Sequence, residues 1–253
     1  MKRNLMAFIL ILGLAVCSMS VVNAQKKRSN DICAVDVTVK EANIRFEKGE
    51  SDRIETEYYG KASGLIYDLE AAIDGNIYKI NLNYTGRGMA PSIKEGGVIV
   101  KIPDDKYSLL RINGKTGSGI VLDDVNIDTD ITSERCAVII YNEDDSHGMS
   151  IDSNSDSYEI VSAPISEDLT AKFVGSYVEF TFTEKPSDLE FQLMDKDGYI
   201  ELPANWERDF LVGYGKPKMI VESINGIFGL TIGRDFKGIG DYISYTYETE
   251  SDS

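Results

Sequence analysis

The residues whose type and spacing best suit chemistry in this sequence are its clustered carboxylates. Asp123-Asp124 and Asp144-Asp145 are the pairs a glycoside hydrolase would need, one carboxyl as acid and the other as base or nucleophile across a sugar ring. Adjacent residues on a strand point to opposite faces, so an Asp-Asp pair does not by itself aim two carboxyls at one bond. Asp152-Ser153-Asn154-Ser155-Asp156 opens like a calcium loop, with oxygen ligands at alternate positions. Ser157 then stands where the loop's turning glycine belongs, and Ala163 where its closing glutamate belongs. Asp195-Lys196-Asp197-Gly198 and the run of Asp123, Asp124, Asp128 and Asp130 are further carboxylate clusters. Turn formation through Asx geometry accounts for them without an ion.

Other motifs fall short for stated reasons. Gly114-Lys115-Thr116 has the end of a phosphate loop, but Leu109 replaces the glycine required five residues earlier. The segment also leads into a strand, so no helix N-terminus would face a phosphate. His147 is the lone imidazole and would have to serve any Ser-His-Asp triad. It lies in the polar turn from Asn142 to Gly148, and no Gly-x-Ser-x-Gly elbow accompanies it. A polyuronate-cleaving enzyme would need a basic cleft, for which Arg111, Arg135 and Lys115 are scattered candidates. Cys33 and Cys136 sit in apolar, strand-like stretches and read either as buried small hydrophobes or as a disulfide. Trp206 and the 14 tyrosines offer aromatic surface for sugars or proteins, although tyrosine also packs pleated sheets without any ligand. No catalytic, cofactor-binding or metal-ligating residue is assigned from these patterns.

The elements that would position these residues are strands. The chain has 253 residues with 26 Lys+Arg against 42 Asp+Glu, a formal charge of −16. Such acidity repels nucleic acid and anionic membranes, while 42% hydrophobic residues suffice for a core. Lys2 and Arg3, the apolar run Leu5 to Val16 and the compact Val22-Asn23-Ala24 read as a secretory signal peptide over residues 1–24. A lipid anchor at Cys17 is the alternative, with Val16 an unfavourable neighbour for it. No further run reaches membrane length, so the mature chain is expected to have no transmembrane helix. Period-2 alternation then dominates, with Gly, Asn and Asp between the runs. Residues 25–92 read as a hairpin-rich N-terminal β region, with a turn signal at Asp74-Gly75-Asn76 and an ambiguous stretch at 61–72. Over residues 93–234 short apolar runs recur at roughly 20-residue spacing, many opened by a glycine. This is the pattern of a β-solenoid, whose coils bury their apolar faces only by stacking. A β-sandwich is the alternative architecture. Residues 235–253 read as a C-terminal tail with an acidic end.

The stretch Val98 to Leu122 resembles the bacterial putative-adhesin family of secreted domains of unknown function. Ile102-Pro103, Leu110-Arg111-Ile112 and Thr116-Gly117-Ser118-Gly119 follow the order of an apolar strand closed by Pro, a second strand, and a Thr-Gly-Ser-Gly step into a third. Gly198-Tyr199-Ile200-Glu201-Leu202-Pro203 and Asn225-Gly226-Ile227 look like later turns of the same repeat. The resemblance spans roughly residues 33–232 and implies a β-helix-like fold at the cell exterior, with no catalytic residues to carry over. The expected function is a secreted or cell-surface, adhesin-like binding module without catalytic activity. Its partner would be a cell-surface protein or carbohydrate, and not nucleic acid. A carbohydrate-active enzyme on a β-helix and a structural spacer are the alternatives.

Overall fold

The computed structural model describes residues 33–103, 105–143 and 147–233, with Glu159 described by its backbone alone. Residues 1–24, read above as a signal peptide, with Cys17, Asp144-Asp145 and residues 235–253, lie outside the described residues. Within them the chain is all-β: nineteen strands form one sheet of ten and one of nine, with no helix.

Through the middle of the chain, consecutive strands alternate between the two sheets. β7 (Leu109–Lys115), β9 (Asp128–Glu134), β11 (Met149–Asn154) and β13 (Leu169–Val174) are parallel neighbours in the first sheet. β8 (Gly119–Asp123), β10 (Ala137–Asn142), β12 (Ser157–Ser162) and β14 (Tyr177–Phe182) are parallel neighbours in the second. Thr129 pairs with Met149 and Met149 with Leu169, and Val138 pairs with Tyr158 and Tyr158 with Val178, a step of 20 residues each time. The alternation seen in the sequence sorts each strand: Thr129, Ile131 and Ser133 of β9 face inward, and Asp128, Asp130, Thr132 and Glu134 face solvent. Equal steps bring inward rows into register, so both sheets contribute to one continuous core running from Val35 and Ile44 to Phe228 and Leu230.

Each passage from the first sheet to the second turns on one left-handed residue: Gly117, Arg135, Ser155 and Gly175 have φ between 55° and 77°. A small or short buried residue follows in each case, namely Ser118, Cys136, Asp156 and Ser176. The corners also pair with one another. The N–H groups of Gly117, Arg135 and Ser155 donate to the carbonyls of Arg135, Asn154 and Val174, at 2.7–3.0 Å. Backbone pairing therefore continues around the bend and leaves these groups satisfied.

The two ends of the stack depart from sequence order. β1 (Ala34–Lys40) lies parallel between β7 and β5 (Ile77–Tyr84), and β2 (Asn43–Lys48) lies parallel between β8 and β6 (Gly96–Ile102). This corrects the expectation of an antiparallel N-terminal region: β1 and β2 form a left-handed corner of the same kind at Glu41, not a hairpin. At this end antiparallel pairing is confined to β3 (Glu55–Gly60) on β6 and β4 (Tyr67–Asp74) on β5, the latter closing through Gly75-Asn76 as the turn signal implies. The ambiguous stretch 61–72 contains the start of β4. At the other end β15 (Leu189–Lys196) and β16 (Tyr199–Glu201) form the outer layer, and β17 (Asp209–Val212) adds to β15 antiparallel. β18 (Lys218–Ile224) and β19 (Ile227–Ile232) then return to fill the gap beside β13 and β14.

A non-glycine residue at positive φ costs roughly 1 kcal/mol. Ser155→Gly is therefore expected to raise the unfolding free energy by about that amount, and Ser155→Val to lower it. The urea midpoint of each variant checks this.

Candidate functional site

The carboxylate clusters are dispersed by the strand geometry. Asp123 faces out from the end of β8 and takes the Arg45 guanidinium, which also contacts Glu47 at 2.9 Å. Asp124 is a left-handed turn residue whose carboxylate accepts the Glu143 N–H at 3.3 Å. Asp152 points outward from β11 while Asp156 is buried at the next corner, so the calcium-like run does not converge. Asp128 and Asp130 are outward on β9, Asp195 pairs with Arg208 at 3.4 Å, and Asp197 and Gly198 form a corner. Among the described residues no three His, Cys, Asp or Glu side chains gather into a metal cluster. His147 is exposed. Arg111 pairs with Asp36 at 3.0 Å and Arg135 donates to Thr116 at 2.9 Å, while Lys115 faces solvent at the end of β7. These cations line no common cleft. Gly114 faces the core, where a Cβ would meet Ile120 and Cys136, so its motif has no phosphate to cradle.

Cys33 is exposed and Cys136 buried, and both are free thiols. Burial, with the nearby Asp156 carboxylate second, pushes the Cys136 thiol up to about 11, so it stays protonated and inert. Asp156 serves the corner: its Oδ1 accepts the Cys136 N–H at 2.7 Å, and its own N–H donates to Ser176 Oγ at 3.3 Å. Burial raises the Asp156 carboxyl above the usual range, against the lowering influence of Ser133 and of backbone N–H groups including that of Cys136. Tyr158, fully buried, shares a 2.5 Å hydrogen bond with Ser133 and meets Phe173 edge-on. Trp206 is also interior, stacked on Phe210 at 4.0 Å and packed near Phe182 and Phe191. It is thus a core residue and not a platform for sugars.

The aromatic surface lies elsewhere, on the outward face of the second sheet. Tyr177 of β14 and Tyr199 of β16 both pair with Ile227 of β19, and Glu179 and Glu201 both pair with Gly229. With strands about 4.8 Å apart, each pair straddles β19 at about 10 Å. Tyr177, Ile227 and Tyr199 are 49%, 44% and 62% exposed. Together with Thr231 these side chains line an open trough of about 340 Å³. Its floor is Gly229, where an added Cβ would meet nothing nearer than the Val178 carbonyl oxygen at 3.9 Å. A β-branched residue would fit there and would favour the strand by about 0.5–1 kcal/mol. The glycine keeps the floor low between two tyrosine rings and two carboxylates. Sequence inspection had one signal for this site: Tyr177, Tyr199 and Ile227 each follow a corner residue, Ser176, Gly198 and Gly226.

No family model matches the chain. No curated protein matches it either. Among solved structures it is similar to the crystal structure of a "putative cell adhesion protein" from Clostridium sporogenes, with 6% identity and a TM-score of 0.43. That likeness covers 83% of this chain and 96% of the other.

The folded chain holds the Asp156 proton more tightly than the unfolded chain does, so this group lowers stability as pH rises through the carboxylate range. Asp156→Asn keeps an oxygen for the Cys136 N–H and removes the buried charge. It is expected to raise the thermal midpoint at neutral pH and to lose that advantage below about pH 4. Thermal unfolding from pH 3 to 8 checks the sign.

Proposed function

We propose that this chain is a secreted, non-enzymatic surface-binding module. Its two sheets are the faces of a β-solenoid with coils of about 20 residues, and its contact surface is the tyrosine trough of the second sheet. The observation that carries this reading is the open Gly229 floor between exposed Tyr177 and Tyr199, with Glu179 and Glu201 one row further along the strands. Two aromatic faces about 10 Å apart suit the apolar faces of sugar rings, and flanking carboxylates accept hydroxyl hydrogen bonds. The ligand class that follows is an uncharged or basic cell-surface glycan, since the carboxylates and the formal charge of −16 disfavour anionic ones. Secretion rests on the N-terminal segment Lys2 to Ala24. Among the described residues no helix is long and apolar enough to cross a membrane.

One observation favours the carbohydrate-active alternative: Glu179 and Glu201 flank a common residue, at a backbone separation near the carboxyl spacing of inverting glycosidases. The trough is open, however, and a general acid works best where an enclosed, water-poor site holds its proton.

A glycan array probed with residues 25–253, read alongside reducing-end and unsaturated-product assays, tests both readings. Binding without product is expected. Tyr177→Ala and Tyr199→Ala should each weaken it about tenfold, for the loss of ~1.4 kcal/mol of stacking. Gly229→Val should abolish binding while leaving the thermal midpoint equal or higher. New reducing ends lost in Glu179→Gln would establish the enzyme. Binding unchanged by all three trough substitutions would remove the trough from the function.

A further inference from the structure

The four sheet edges are not alike. β16, β17 and β3 run for three, four and six residues, whereas β4 runs for eight. All eight pair with β5 without a bulge, from Tyr67 with Tyr84 to Asp74 with Ile77. Among the described residues no strand lies on the other side of β4. A long, unbulged, uncovered edge is a template for a further strand. The ladder decides which groups this edge offers. The Thr85 N–H donates to the Ile66 carbonyl at 2.8 Å, so Ile66 and, by antiparallel alternation, Asp68, Glu70, Ala72 and Asp74 bond toward β5. Tyr67 fits that phase, since its N–H donates to the Ser63 carbonyl at 3.1 Å. Leu69, Ala71 and Ile73 therefore direct their N–H and C=O groups at the free edge. Their side chains share the inward face of Leu82, Ile80 and Tyr78 but are only half-buried, while Asp68, Glu70, Ala72 and Asp74 face out and are exposed.

We infer that this edge accepts an extended segment of a partner protein in which basic residues alternate with apolar ones. Backbone hydrogen bonds to Leu69, Ala71 and Ile73 supply the affinity common to strand addition. Residues of the segment opposite those three share their face, so apolar side chains there complete the burial of Leu69, Ala71 and Ile73. Residues opposite Asp68, Glu70 and Asp74 stand on the acidic row, where opposite charges across a ladder attract. Asp74 is paired with Lys79, and Asp68 and Glu70 have no cation partner among the described residues. The edge thus carries uncompensated negative charge beside its free backbone groups. A second copy of this chain is the less suited occupant, because antiparallel pairing of two β4 edges sets one acidic row against the other. The formal charge of −16 likewise draws in a cationic segment and holds a copy off.

The test is the binding of a dye-labelled peptide of alternating Lys and Val to residues 25–253, read by fluorescence anisotropy at low salt. Binding is expected. A peptide of the same composition with its lysines in one block, and an alternating Glu and Val peptide, should each bind about tenfold more weakly. Amide hydrogen exchange followed by NMR should slow on binding at Leu69, Ala71 and Ile73. Ala71→Pro removes one edge donor without breaking the ladder to β5, and should weaken binding of the Lys peptide about tenfold. Asp68→Lys with Glu70→Lys should reverse the preference, so that the Glu peptide binds the more tightly. That pair of exposed changes carries the test where Ala71→Pro fails to fold, as read by far-ultraviolet circular dichroism. Equal binding of the alternating and block peptides, or no binding, would overturn the inference. So would exchange slowed only in strands other than β4. Dimerisation of residues 25–253 in sedimentation, abolished by Ala71→Pro, would assign the edge to a second copy and overturn it as well.

Discussion

The left-handed corner residue is the constraint on which the rest of this structure depends. At each passage from the first sheet to the second, one residue at positive φ reverses the chain, and the next must be small enough to sit inside the bend. From Arg135 onward each corner uses the same number of residues, and the corner at Gly117 holds one more; each bonds to its neighbour, so the strands on both sides stay in register. Register in turn aligns the inward apolar rows, and only aligned rows make a continuous core. Arg135 and Ser155 accept a strained conformation that Gly117 and Gly175 adopt freely. Backbone pairing with the neighbouring strands holds them there.

A stack of parallel strands has exposed ends that invite further pairing. Here antiparallel strands form three of the four sheet edges, β3 and β4 at one end and β17 at the other, while the short parallel β16 forms the fourth. β3 and β4 place Glu55, Glu57, Asp68, Glu70 and Asp74 at the closed end, and this acidity discourages a second copy from continuing the sheet. The chain reaches each end before it fills the strand positions behind, so β5, β6, β18 and β19 are held on two sides by other strands.

The two outer faces differ in what they can do. On the first sheet, cross-strand ion pairs join Asp36 to Arg111, Lys172 to Glu222 and Glu190 to Lys218, at 2.9–3.4 Å. Each such exposed pair contributes little to stability, about 0.2–1 kcal/mol, but together they occupy the face. The second sheet carries ion pairs of Arg45 with Asp123 and of Lys101 with Glu57 toward one end and the tyrosine trough toward the other.

Much of this was legible in the amino-acid order. Alternation identified most strands and their inward residues, the 20-residue recurrence matches the pairing register, and Asp74-Gly75-Asn76 marked its turn, since these are local effects of side-chain period and backbone freedom. The scattering of the carboxylate clusters also follows from parity along each strand. What the order alone left open was decided by contacts distant in sequence. Val35 and Ile44 look like hairpin strands locally, yet their partners include Leu110 and Ile120, because parallel pairing with strands made later buries their inward rows. Trp206 reads as a surface aromatic until Phe182, Phe191 and Phe210 enclose it. The trough is assembled from β14, β19 and β16, adjacent in space in that order but not in the chain. Periodicity along the chain sets which way a side chain points, whereas which strand lies beside it depends on how the terminal strands close the core.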